Sequence, residues 1–165
     1  NIMFSQERIG KNGKLIKIYK FRSMVPNAEV ELERMMEENS RIKEEYLTNK
    51  KLKDDPRITP VGHFLRKTSL DEWPQFVNVL KGEMSFIGPR PYLPREKDDM
   101  GQYYESIIQL KPGVTGMWQA NGRSDVEFGY RCKLDDYYYH NWSVWLDLTI
   151  IYKTIKSVVY GKGSL

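Results

Sequence analysis

Two adjacent acids, Asp71 and Glu72, follow two basic residues in the stretch Leu65-Arg66-Lys67-Thr68-Ser69-Leu70-Asp71-Glu72-Trp73-Pro74-Gln75. An apolar run follows them, so the pair is expected at a helix N-terminus. There, converging backbone N–H groups favour anions and should keep Asp71 ionised at neutral pH. An ionised carboxylate can attack phosphorus or carbon and form a covalent intermediate. Glu72, with Asp71 beside it, can ligate Mg²⁺, which prefers oxygen donors together with substrate phosphates and water. The same residues also satisfy a purely structural reading, because Ser69-x-x-Glu72 has the capping-box pattern. Pro74 leaves the register open: a cap at Ser69 places it beyond the first turn, whereas a cap at Asp71 places it within that turn.

Arg90 lies between two prolines in Gly88-Pro89-Arg90-Pro91. Proline on both sides restricts the backbone and presets where the guanidinium points. Arginine suits bidentate contact with phosphate, although a rigid turn carrying a salt-bridged arginine fits equally well. Lys20 and Arg22 in Lys20-Phe21-Arg22, and Arg123 after Gly122, are weaker basic candidates of the same kind. No GxxxxGK loop, GxGxxG turn or credible Ser/His/Asp pattern is present. His63 and His140 lie far apart with no cysteine at zinc-ligand spacing, which argues against structural zinc.

The elements that must position these residues can be read along the chain. Asn12-Gly13 before the apolar run Leu15 to Phe21 predicts an N-terminal β-hairpin. One charged helix is expected from Ala28 to Leu47, with Ala28, Leu32, Met35, Met36, Ile42 and Tyr46 on its apolar side. Thr59-Pro60 reads as an N-cap followed by proline at the first helical position. Val61, Phe64 and Leu65 form the apolar face of that helix. A second helix is expected to bury Leu70, Trp73, Phe76, Val77 and Leu80 before Gly82 ends it. Further expectations are a short apolar run at Met84 to Gly88, a helix over Gly101 to Leu110, and a strand-like segment around Val114 to Gln119. Ser124-x-x-Glu127 should open a helix towards Tyr139, and Ser143 should cap a final helix through Tyr160, stopped by Gly161.

The chain has 165 residues, enough for one domain spanning 1–165. Its pattern is an α/β (α+β, helix-rich) domain. The formal net charge of +4 is a mild bias towards anionic partners. Single Cys132 excludes an internal disulfide framework and fits a reducing compartment. No stretch has the roughly 18–20 uninterrupted apolar residues of a membrane span. Asn1 opens the chain inside a strand-forming segment, which reads as the C-terminal part of a longer protein.

Several motifs recur here in a fixed order. They are Tyr19-Lys20-Phe21-Arg22-Ser23-Met24, Asp55-Pro56-Arg57-Ile58-Thr59, Leu65 to Glu72, and Asn78 to Ser85. Gly88-Pro89-Arg90-Pro91, Lys111 to Gly116, Trp118-Gln119, Gly122-Arg123-Ser124-Asp125, and Asn141-Trp142-Ser143 with Asp147 follow. Together they resemble the bacterial polyprenyl-phosphate phosphoglycosyl transferases, over nearly the whole chain. The resemblance implies a monotopic catalytic domain that transfers a sugar-1-phosphate from a UDP-sugar to undecaprenyl phosphate, releasing UMP. Galactose or glucose is the sugar implied, and the reaction opens capsule, O-antigen or exopolysaccharide assembly. Asp71 matches the nucleophile, Glu72 the acid that holds Mg²⁺, and Arg66 and Arg90 the arginines near phosphate. The family carries an N-terminal re-entrant membrane helix, and this chain begins after its place.

The final helix is expected to bury Leu148, Ile151, Ile155 and Val158 or Val159 on one side, and Asp147, Lys153 and Lys156 interrupt it. A core or subunit-contact role, as in a homodimer, is one reading. Interfacial attachment is the other, with Trp142, Trp145 and Tyr137-Tyr138-Tyr139 at headgroup level. Donor supply and anionic lipid place the domain on the cytoplasmic leaflet of the bacterial inner membrane. Nucleic acid is not an expected partner, because the basic residues are dispersed among 22 acids with no recognition motif. A catalytically silent membrane-surface scaffold of the same fold is the remaining alternative.

Overall fold

A computed structural model describes residues 2–121 and 127–160, with the side chains of 158–160 outside the description. The chain opens with the expected antiparallel hairpin, β1 (Met3–Ile9) and β2 (Leu15–Phe21), in a register pairing Met3 with Phe21 and Ile9 with Leu15. Its turn places Asn12 and Gly13 at φ of 58° and 74°, the left-handed conformation that this residue pair tolerates.

The charged segment is two helices, not one. α1 (Ala28–Glu38) and α2 (Ser40–Asn49) are separated by Asn39, whose backbone is extended. The Asn39 side chain accepts from the N–H of Arg41 at 3.0 Å and caps the second helix, an interaction that competes with helix continuation. Leu32, Met35 and Leu52 form a small buried cluster beneath this pair. Ile9, Tyr92, Met100, Ile107, Phe128 and Cys132 form a separate one.

α3 (Pro60–Thr68) starts as expected, with Thr59 Oγ1 accepting from the N–H of Gly62 at 3.0 Å. Gly62 lies against the chain leaving the hairpin, and a Cβ there would overlap the Ser23 carbonyl. A 3₁₀ helix, Leu70–Gln75, and the short α4 (Phe76–Leu80) follow.

Here the expected orientation reverses. Trp73 and Leu80 are 60% and 88% exposed, while Asp71, Gln75 and Asn78 face inward. Val61, Phe64, Phe76 and Val77 are exposed as well. The reason lies in β2, an edge strand with backbone groups to satisfy. Buried Asn78 accepts from the N–H of Tyr19 at 3.3 Å and donates to the carbonyls of Lys17 at 2.8 Å and to Glu83 Oε2 at 2.7 Å, the latter a side-chain carboxylate. One side-chain amide therefore continues the strand's hydrogen bonding, and the polar face is the one that packs.

β3 (Ser85–Ile87) and β4 (Gly113–Thr115) form a two-stranded parallel pair, Ser85 opposite Gly113 and Ile87 opposite Thr115. Between them run α5 (Lys97–Met100) and the single-turn α6 (Tyr104–Ile107), with a 3₁₀ turn at Gly101–Tyr103 in place of the continuous helix expected over 101–110. The strand expected to reach Gln119 stops at Thr115, and α7 (Met117–Ala120) follows. α8 (Phe128–His140) runs as expected towards Tyr139, whereas Ser124 and its capping box lie outside the described residues.

α9 (Val144–Tyr160) is capped by Ser143, whose Oγ accepts from the N–H of Leu146 at 3.1 Å. Ile150 is its buried residue, and Thr154 bonds Thr115 of β4 through their hydroxyls at 2.8 Å. The side expected to be buried is open: Leu148, Ile151 and Ile155 are exposed, with Val144, Tyr152 and Trp145 beside them, the last at 79%. The Val158 and Val159 side chains and Gly161 lie outside the described residues. No helix among the described residues is long and apolar enough to cross a membrane.

Candidate active site

α3 ends at Ser69, whose φ of 57° turns the chain before the acid pair. The Ser69 carbonyl accepts from the N–H of Glu72 at 3.3 Å, so the two segments meet at a tight corner. The Ser69 side chain makes no capping bond, because left-handed Ser69 terminates α3 and is not the extended residue that a capping box requires. Pro74 is accommodated inside the 3₁₀ turn.

Asp71 is buried at 8% exposure. Burial pushes its carboxyl above the usual aspartate range, with Lys20 and Arg66 pulling it back and Glu72 adding to the rise. The expected helix-terminus stabilisation is thus outweighed by desolvation. Glu72 is more open and forms an ion pair with Lys20 of β2, Nζ to Oε1 2.7 Å. Arg66, in the last turn of α3, donates from Nε to Ser23 Oγ at 3.1 Å. Its own guanidinium is pushed down by burial and held up chiefly by Asp71. The hairpin therefore contributes one cation near the carboxylates, Lys20, and α3 contributes another, Arg66.

Lys20 and Arg66 are thereby gathered with the acid pair. Arg22 lies just past β2, its guanidinium 5.7 Å from the centroid of the Phe4 ring. Arg90 belongs to a neighbouring cluster. Its guanidinium stands 5.7 Å from the Trp118 ring and 6.0 Å from that of Tyr92, and Arg131 lies 5.2 Å from Trp118. Arg8 links the two groups: burial first and then Arg90 lower its guanidinium to about 10, with Glu96 and, more weakly, Glu72 acting in the opposite sense. Arg8 also donates to the Pro91 carbonyl at 3.1 Å. Arg123 lies outside the described residues.

Sequence reading gave no role to Arg8, Ser23, Asn78, Trp118, Arg131 and Asp135, although Ser23, Asn78 and Trp118 lie within the matching motifs. A signal existed for one of them. Asp71, Gln75 and Asn78 are spaced by four and three, a helical stripe of polar residues that marks the packed face as clearly as the apolar stripe marks the other. Cys132 is buried, with its thiol pushed up to about 12, so it is not a nucleophile at neutral pH.

Among the described residues no three His, Cys, Asp or Glu side chains converge as a metal cage. Two carboxylates at Asp71 and Glu72 still suit Mg²⁺, which is held by one or two protein oxygens with substrate phosphates completing the shell. Paired carboxylates beside the half-buried cations Lys20 and Arg66 make this the candidate site.

A family model described as bacterial sugar transferase matches residues 1–161, and the chain belongs to that family, which is the one its motifs resemble. It is 44% identical over 165 residues to the undecaprenyl-phosphate galactose phosphotransferase of Salmonella typhimurium, covering 98% of this chain and 34% of that protein. It is 43% identical to exopolysaccharide production protein ExoY of Sinorhizobium fredii, over 99% of this chain and 73% of that protein. The UDP-glucose:undecaprenyl-phosphate glucose-1-phosphate transferase of Escherichia coli is 39% identical, over 93% of this chain and 32% of that protein. The chain thus spans about a third of the length of the first and third of these relatives.

Proposed function

We propose that this chain carries the catalytic centre of a phosphoglycosyl transferase that moves galactose- or glucose-1-phosphate from a UDP-sugar to undecaprenyl phosphate. The observation that supports it most is Asp71, buried and flanked by Lys20, Arg66 and Glu72. An Asp71 oxygen attacks the β-phosphorus, the bond from that phosphorus to the bridging oxygen breaks, and UMP leaves with the electron pair. An oxygen of undecaprenyl phosphate then attacks the same phosphorus and displaces Asp71. Both steps bring an anion to a phosphate, so the cations must offset the repulsion. Lys20 and Arg66 are placed to do this, and both favour the ionised form of Asp71 that attack requires. Glu72 would hold Mg²⁺, which supplies further neutralisation of phosphate charge. Arg90 would contact phosphate from the adjoining cluster.

The acceptor is lipid-linked, and the exposed apolar faces of α3, the 3₁₀ turn with α4, and α9 suit an interfacial position at the cytoplasmic leaflet. Trp73 and Leu80 project from the opposite side of the segment that presents Asp71 inward. A second copy of the chain burying α9 is the alternative use of that face.

The test is UMP release from UDP-galactose and UDP-glucose, with undecaprenyl phosphate and Mg²⁺ in detergent, by the full-length protein. Release should be lost in Asp71→Asn and on chelation. Unchanged release in Asp71→Asn would remove the nucleophile assignment.

A further inference from the structure

The turn that carries Arg90 is held by a residue 45 positions downstream. Asp135, on α8 and fully buried, accepts at Oδ2 from the backbone N–H of Arg90 at 3.0 Å. The same oxygen accepts from the Tyr92 hydroxyl at 2.8 Å. Tyr92 is itself buried, packed edge-on against Phe128 with ring centroids 5.7 Å apart. Pro91 has no N–H, and the Arg90 N–H is the donor that α8 takes from this turn. The Arg90 guanidinium then lies against Tyr92 and Trp118.

We infer that Asp135 is a positioning residue for Arg90: its Oδ2 anchors the Pro89-Arg90-Pro91 turn so that the guanidinium is presented towards the phosphates of the donor. This rests on the transferase reading above. The physical case is that an isolated carboxylate at this depth is costly unless its bonds are retained for a purpose other than burial. Burial raises the Asp135 carboxyl to about 7, and Oδ1 has no partner among the described residues. A neutral amide could therefore replace the carboxylate, its oxygen keeping both bonds and its nitrogen taking the unpartnered side. Glu96 and Arg131 also border this cluster: Glu96 acts electrostatically on Arg8 and on Cys132, and Arg90, Tyr92, Glu96 and Cys132 act on Arg131.

The experiment is a mutant cycle on the full-length enzyme, with kcat and KM for the UDP-sugar and, independently of turnover, donor Kd by calorimetry. Asp135→Ala should weaken donor binding and lower kcat/KM by about tenfold or more, since small displacements of a positioning group have effects of that size. Asp135→Asn should restore most of the loss. In an Arg90→Ala background, Asp135→Ala should add nothing to the change in Kd. Where Asp135→Ala fails to fold, Tyr92→Phe replaces it, with a smaller loss that must also vanish in the Arg90→Ala background. Losses that multiply independently of Arg90, or no loss at all while wild type turns over, overturn the inference. A wild type that releases no UMP from any donor removes the transferase reading, and the inference falls with it.

Discussion

Lys20 and Glu72 meet at 2.7 Å although 52 residues separate them, and this ion pair ties the hairpin to the segment that presents the acids. Lys20 is also the largest influence drawing the Asp71 carboxyl downward against burial. Lys20→Met should therefore raise the Asp71 carboxyl further. The ascending limb of the kcat/KM profile would then move to higher pH, because more alkali is needed to ionise Asp71. Rates measured from pH 5 to 9 in both proteins check this, and an unmoved limb would separate Lys20 from Asp71.

Asn78 is the joint between β2 and α4. Its replacement by alanine leaves the Tyr19 N–H, the Lys17 carbonyl and Glu83 without this partner in a part-buried place. Asn78→Ala should lower stability by about 2–4 kcal/mol. Urea unfolding followed by circular dichroism gives the value, and a loss below about 1 kcal/mol would mean that water replaces the amide.

Asp135 gives stability a distinctive pH dependence. Its carboxyl is raised to about 7 in the folded state, so its favourable contribution is complete below the unfolded value near 4 and is lost as pH rises through 7. The melting temperature of wild type minus that of Asp135→Asn should therefore fall between pH 5 and pH 8. Scanning calorimetry of the two proteins in matched buffers checks the sign. A rising difference would show that the folded protein favours the charged form.

The outward apolar residues should contribute little to folding and much to surface attachment. Leu80→Glu and Trp145→Glu are expected to leave the melting temperature within a few degrees while reducing co-sedimentation with anionic vesicles several-fold. Unchanged sedimentation, joined to a change in oligomeric size, would assign these faces to a second copy of the chain.

Gly62 has no room for a side chain, since a Cβ would overlap the Ser23 carbonyl. Gly62→Ala should force α3 away from the strand exit, with a cost of about 1–3 kcal/mol. Arg66 should lose its bond to Ser23 at the same time. Activity would then fall further than the loss of stability alone explains, which paired unfolding and turnover measurements would reveal.

Local chemistry made part of this structure legible in the sequence. Asn12-Gly13, Thr59-Pro60 and Ser143 each act within a few residues of their own position, and each turn or cap lies where it was expected. Helical periodicity also found the segment that carries Asp71. It chose the wrong inner face there because apolar residues were assumed to pack, whereas the free edge of β2 demanded a hydrogen-bonding partner. Arg8 and Asp135 were invisible for a related reason. Their roles are set by Pro91 and Arg90, 83 and 45 residues away, and no spacing rule reaches that far. Asn39 was a quieter omission, since a polar residue within a charged run gives no sign that its side chain will compete with the helix.

The α1–α2 pair keeps its apolar cluster of Leu32, Met35 and Leu52 apart from the cluster built on Tyr92 and Phe128. It is tied to the rest by peripheral links such as Lys50–Asp99 at 2.7 Å and Arg95–Glu29 at 3.3 Å. Such a unit can lengthen, shorten or be exchanged between relatives while the acid pair keeps its surroundings.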